Sequence, residues 1–237
     1  MTVEEAKAKL LHEVGSLPGW CTPEKASRIF ELVREHKPTN QCVELGVFGG
    51  RSLLAIAFGL QCNGMGHVVG LDTYSFEADC EGKLDPAHLE YWRTMNYGKI
   101  ESEARQALLR HDLGVYAEIK KAHSLQIVHE FLDGEVSLLH QDSNHSEEVS
   151  VDEVRAWLPK LQVGGWWIQD DFDWPTIRVS SWLLRQSGCE LVEDHRRPVS
   201  STPPEPERWE RITKRLLLLV LAAVIGLLAH WAICYPQ

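Results

Sequence analysis

Two short apolar runs that end in acid constrain what this chain can fold into. Val136 to Gln141 (VSLLHQ) leads into Asp142, with His145 three residues on, and Trp166 to Gln169 (WWIQ) leads into Asp170 and Asp171. Bounded by polar and glycine-rich segments, runs of this length read as buried parallel strands. Ligands of open α/β sheets bind outside the carboxyl ends of the strands. Three carboxylates and an imidazole brought to that edge make a candidate site for a hard metal ion with a base beside it.

The rest of the chain continues the alternation. Thr22 and Pro23 suit the start of a helix whose apolar stripe (Ile29, Leu32, Val33) reaches about His36. Gln41 to Leu45 reads as the first strand, Gly46 to Gly50 as a glycine turn, and Ser52 to Leu60 as a helix. His67 to Leu71 is a second strand ending at Asp72, Val115 to Lys120 a third, and Leu125 to Leu132 a helix. Ser146 caps a further helix, Pro159 to Gly165 is a turn, Ile177 to Gln186 a helix, and Cys189 to Glu193 a short sixth strand. The pattern predicts an α/β fold, a doubly wound, mostly parallel sheet of Rossmann-like type with a helical insertion and a C-terminal apolar helix. Its expected parts are an N-terminal helical segment (1–40), a catalytic domain (41–195) with an aromatic-rich helical lid (73–114), a Pro-rich linker (196–210) and an apolar tail (211–237).

A net charge of -10 argues against nucleic acid as a partner. Six cysteines without a paired rhythm favour a reducing, cytoplasmic setting, and the charged N-terminus shows no signal peptide. Leu216 to Tyr235 is the about 20 residues that a bilayer core requires. Arg211, Lys214 and Arg215 precede it, and Trp231 and Tyr235 suit the far interface, so it reads as a membrane anchor with the domain on the cytoplasmic side. The other reading is a helix packed on protein, which His230 favours.

At the first strand, Gly46, Gly49 and Gly50 would let a ligand approach the backbone. Their spacing is not that of a pyrophosphate-binding turn, and Glu44 just before them would repel a diphosphate while suiting a positively charged ligand. Asp72, ending the second strand, is placed to accept bonds from ribose hydroxyls. A nucleoside with a cationic amino-acid portion meets all these demands, and S-adenosylmethionine is one.

The segments CVELGVFGGRS (42–52), VVGLDTYS (68–75) and LLHQDSNHSEEVSVDEVRAWLPKLQVGGWWIQDDFDW (138–174) resemble the successive motifs of class I S-adenosylmethionine-dependent methyltransferases. The likeness is to the metal-dependent O-methyltransferase branch, which holds catechol O-methyltransferase and sugar O-methyltransferases of antibiotic biosynthesis. It covers roughly 41–194. It implies that Glu44, Gly46 and Asp72 contact the cofactor and, more loosely, that Ser124 lies near the adenine. It also implies that Asp142, Asp170 and Asp171 hold Mg²⁺ or another hard divalent cation, with His145 as general base. The expected activity is O-methylation of a small hydroxylated substrate, a sugar or a phenol.

Other readings stay open. Strand-end aspartates often cap loops, His145 would then be a loop histidine, and His111, His123 and His140 show no pattern and read as structural. A metal-independent methyltransferase keeps the fold and the cofactor. A membrane-tethered binding protein with a decayed catalytic domain is a third reading, because the seventh strand usual in this family is not visible after Glu193.

Overall fold

The computed structural model describes residues 1–82 and 86–191. The linker, the apolar run at 216–235 and any strand beyond Leu191 lie outside the described residues. Among those described, no helix is long and apolar enough to cross a membrane.

Helices α1 (Val3–Ser16) and α2 (Pro23–His36) precede β1 (Gln41–Leu45), α3 (Arg51–Asn63) and β2 (His67–Asp72). Three helices then fill the expected insertion: α4 (Phe76–Asp79), α5 (Pro86–Arg93) and α6 (Tyr97–Arg110). β3 (Ala117–Lys121), α7 (Ser124–Ile127), β4 (Val136–Gln141), α8 (Glu147–Trp157), β5 (Leu161–Gln169) and α9 (Arg178–Gln186) complete the described chain. All strand pairs are parallel, in the order β3-β2-β1-β4-β5. The chain therefore reverses its direction of build between β1 and β4, and the ligand crevice of such sheets opens at that point.

Strand alternation divides the core between two faces. Cys42, Val68 and Leu138 pack with α1, α2, α3 and α6, while Val43, Leu45, Val69, Leu71 and Leu139 pack with Ile127, Phe131 and Trp157 on the other side. Leu45, Leu53, Leu71 and Leu138 are fully buried, each contributing roughly 1.5–3 kcal/mol. All five described cysteines are free thiols.

Four elements differ from the sequence expectation. β3 begins two residues later than Val115, whose side chain is exposed. The helix expected from Leu125 to Leu132 closes after one turn into a 3-10 segment, Val128–Glu130. The turn expected at Pro159 to Gly165 is partly strand, since β5 pairs Leu161 with Val136 and then shifts register before Trp166 meets Leu138. Val163 bulges outward there, and Gly164 takes φ +79° to let it do so. Finally, Cys189–Leu191 forms no strand. The Cys189 N–H is used to close α9 on the Leu184 carbonyl, and Leu191 is exposed.

Candidate active site

The glycine turn after β1 is built by close backbone packing. Gly46 takes φ +86°, and a Cβ there would lie 2.7 Å from both the Asp142 carbonyl carbon and the Ser143 Cα. A Cβ on Gly49 would lie 2.9 Å from the Pro18 carbonyl carbon. The room that the sequence suggests for a ligand is taken, at these two Cα atoms, by the loop after β4 and by the turn before α2. Both glycines still line the cavity described below.

Asp72 holds this turn in shape. One carboxylate oxygen accepts the N–H groups of Val47 (2.9 Å) and Phe48 (2.8 Å), and the other accepts that of Tyr74 (2.7 Å). Burial raises its pKa and these three bonds oppose the rise. Asp72 faces the cavity with part of its accepting capacity already used. Glu44 differs more from expectation. It is fully buried beneath the floor, outside the cavity lining, and its Oε1 lies 2.8 Å from His140 Nδ1. Its Oε2 is buried with no hydrogen-bond partner. The register pairs Glu44 directly with His140, so the two share one face of the sheet.

The strand-end carboxylates converge. Ligand atoms of His140, Asp142 and Asp170 lie within 4.8 Å of one another. With Nδ1–H donating to Glu44, the His140 Nε2 is left for that cluster, an arrangement that orients metal-binding histidines. Asp171 departs from the group. It takes φ +45°, and its Oδ2 lies 3.1 Å from His145 Nε2, which is also 3.6 Å from Asp142 Oδ1. Of the four residues expected to form the metal site and its base, the structure thus brings all to one place, with Asp171 nearer the imidazole than the ligand cluster.

Lys25, which the sequence did not single out, reaches in from the first turn of α2. Its Nζ lies 2.5 Å and 2.6 Å from the two oxygens of Asp170, which also accepts the Asp171 N–H at 2.9 Å. Burial raises the Asp170 pKa, but the Lys25 ammonium outweighs it and holds the group below the usual carboxylate range. Burial and the neighbouring Asp170 charge push Asp142 well above that range. The Lys25 ammonium and the imidazoles of His140 and His145 thus face the three carboxylates. Oxygen donors in this number suit a hard divalent cation, so the residues present fit one.

The far end of the cavity rests on a buried carboxylate. Glu153 accepts hydrogen bonds from Ser124 Oγ (2.5 Å), Ser143 Oγ (2.6 and 2.7 Å) and Gln141 Nε2 (3.0 Å). Burial raises its pKa against the pull of these donors. Ser124, expected near an adenine, is therefore fixed by Glu153, a residue 29 positions further along the chain.

Apart from Glu44, His140 and Gln141, these groups line a cavity of about 570 Å³. Its mouth carries an aromatic wall in which Trp20 stacks on Phe48 at 5.0 Å and meets Tyr91 and Trp92 at 5.6 and 5.5 Å. Trp174 approaches His145 at 5.1 Å from the other side.

Residues 43–172 match a family described as Methyltransferase domain, and the chain belongs to that family; it is a class I S-adenosylmethionine-dependent methyltransferase. Its fold is similar to that of the cofactor-bound Rv0187 from MTB, at 18% identity and TM-score 0.53, covering 77% of this chain and 78% of that one. The O-methyltransferase from Bacillus cereus in complex with SAH aligns at 18% identity and TM-score 0.52 over 77% of this chain and 79% of that one. TomG from Streptomyces achromogenes, an O-methyltransferase involved in tomaymycin synthesis and solved with SAM, aligns at 15% and 0.52 over 77% and 78%. These are likenesses of fold. No curated protein matches the chain.

Proposed function

We propose that this protein transfers the methyl group of S-adenosylmethionine to a hydroxyl oxygen of a small acceptor, with a divalent cation at the ends of β4 and β5. The observation that carries the reading is the convergence of Asp142, Asp170, Asp171 and His145 on the cavity that also holds the glycine turn and Asp72. Relatives in fold that are described as O-methyltransferases, two of them solved with SAH or SAM, support the same donor and the same kind of acceptor.

In this reading the cofactor lies between the glycine turn and Ser124, with Asp72 toward its ribose. Asp142, Asp170 and Asp171 would hold the cation, which when bound lowers the pKa of the acceptor hydroxyl and fixes its direction. His145 would accept the hydroxyl proton at Nδ1, while Asp171, holding the Nε2–H, orients the imidazole and balances the charge it gains. The acceptor oxygen then bonds to the methyl carbon as the carbon–sulfur bond breaks, its electron pair returning to sulfur. Helices α4 to α6 form the lid, and Trp20, Tyr91 and Trp92 give the acceptor an apolar wall.

One observation favours a second reading, a transferase that needs no metal: Lys25 already neutralises Asp170. The experiment that separates them is consumption of S-adenosylmethionine across a panel of phenols and sugars, with and without excess EDTA. The metal reading expects activity to fall at least about tenfold with EDTA, to return with Mg²⁺ or Mn²⁺, and to be lost in Asp170→Ala. Full activity in EDTA, with Asp170→Ala also active, rejects the metal. Absence of SAH binding by calorimetry rejects both readings.

A further inference from the structure

We propose that Lys25 is the resident counter-ion of the Asp170 carboxylate and competes with a divalent cation for it. The inference rests on the metal reading of this site and adds to it a built-in antagonist on a different element.

The geometry leaves little room for both. Lys25 Nζ contacts both Asp170 oxygens, at 2.5 and 2.6 Å, and the Asp171 N–H takes a further position on Oδ1. A cation that uses Asp170 must therefore displace the ammonium. The Asp170 side chain is only 13% exposed, against 35% for Lys25, so the carboxylate is the fixed partner and the lysine the one with a way out. The Lys25 N–H donates to the Thr22 hydroxyl in the cap of α2 (3.2 Å), which ties its backbone to the start of the helix. Movement is confined to the four-carbon stem, which opens onto the cavity. An ammonium is a compact point charge on a flexible stem and can leave one carboxylate without rebuilding a planar fork.

The charges facing the ammonium make the competition matter. Asp142 lies in the same cluster as Asp170, while Asp171 is turned toward His145. With Lys25 in place the Asp142–Asp170 pair is already partly compensated, so a divalent ion gains less there than bare carboxylates would offer. With Lys25 withdrawn, the pair is left with a charge deficit that the ion corrects. Metal loading and the Lys25–Asp170 contact are thus alternative states of one pocket, and the cation's affinity is set by α2 as well as by the strand ends.

The test reads metal directly and does not depend on turnover. Wild type, Lys25→Met, Lys25→Arg, Asp170→Asn and the Lys25→Met, Asp170→Asn double variant are titrated with Mn²⁺, free ion being followed by electron paramagnetic resonance at fixed salt. Lys25→Met keeps the stem and loses the charge; it is expected to bind Mn²⁺ at least about tenfold tighter than wild type. Lys25→Arg, which keeps the charge, is expected to bind no tighter than wild type. In the Asp170→Asn background the Lys25→Met gain should vanish, since the contested carboxylate is gone. Should Lys25→Met fold poorly, shown by circular dichroism, Lys25→Gln provides the same loss of charge. Mn²⁺ binding in wild type that is unchanged or weakened in both uncharged variants overturns the competition and leaves the metal reading standing. No Mn²⁺ binding at millimolar concentration in any variant, with SAH binding intact, overturns both.

Discussion

Replacing Gly46 by Ala tests whether the site is built by backbone contact between β1 and β4. Two costs apply. A residue with a Cβ held at φ +86° is strained by roughly 1–2 kcal/mol. The added carbon would also fall 2.7 Å from the Asp142 carbonyl carbon and the Ser143 Cα, and closer still to the Asp142 carbonyl oxygen. Carbon contacts relax at about 3.5–4.0 Å, so the two loops must part by roughly 1 Å. That separation acts on Asp142 itself and on the Asp142 N–H bond to the Leu45 carbonyl (2.8 Å). Strain and steric displacement together give about 3–5 kcal/mol of destabilisation, or a fall in Tm of roughly 6–20 °C for a chain this long. Gly64→Ala is the control, because Gly64 has φ +69° with nothing within 4 Å of its would-be Cβ, and only the strain of about 1 kcal/mol remains. Thermal unfolding by circular dichroism and SAH calorimetry measure the two variants side by side. A Gly46→Ala protein that melts with Gly64→Ala and binds SAH like wild type would show that the contact does not govern the site.

Two further outcomes concern pH. Arg110, through its hydrogen bonds at 2.6 and 3.2 Å, holds the Glu13 carboxyl below its ordinary range, with His111 adding to the effect at 2.9 Å. A carboxylate with a lowered folded-state pKa stabilises the fold above its unfolded value, and the contribution is lost as pH falls through the folded one. Glu13→Gln should therefore be less stable than wild type by about 1–3 kcal/mol at pH 7, with the gap closing below about pH 4 in urea titrations; an equal gap at both pH values would refute the assignment. Asp79 behaves in the opposite sense: burial pushes it up to about 7, although the Tyr97 hydroxyl donates to it at 2.6 Å. Its folded pKa is raised, so stability is present below the unfolded value near 3.8 and is lost as pH climbs toward 7. Asp79→Asn should match wild type at pH 4 and exceed it at pH 8 by at most about 4 kcal/mol; no gain at pH 8 would refute the burial argument.

Strand-end logic brought Asp72, Asp142, Asp170 and His145 into view because it needs only local information: an apolar run, its last residue, and the rule that such edges face ligands. It failed where the answer depends on what packs on what. Lys25 meets Asp170 across 145 positions of sequence, and nothing in the local sequence of α2 distinguishes it from a solvent-facing lysine. Gly46 was legible as a position that needs space, yet the occupant of that space is the Asp142 backbone, and a sequence shows the need without the neighbour. The His140–Glu44 pair does carry a local signal. His140, on β4, stands two residues before Asp142 just past the strand's end, an offset that in extended chain puts both on one face, and it pairs in register with Glu44.

The two consecutive aspartates after β5 show the same limit at its finest scale. Read as a pair, Asp170 and Asp171 look like two equivalent ligands. A strand, however, sends neighbouring side chains to opposite faces, and only a turn can reunite them. Asp171 makes that turn with φ +45°, and it carries its carboxylate to His145 while Asp170 stays with Asp142 and Lys25. One acid thus orients the imidazole and the other anchors the contested charge. The division follows from a single backbone angle. Identity of residue type put both acids at the strand end, and conformation alone gave them different partners.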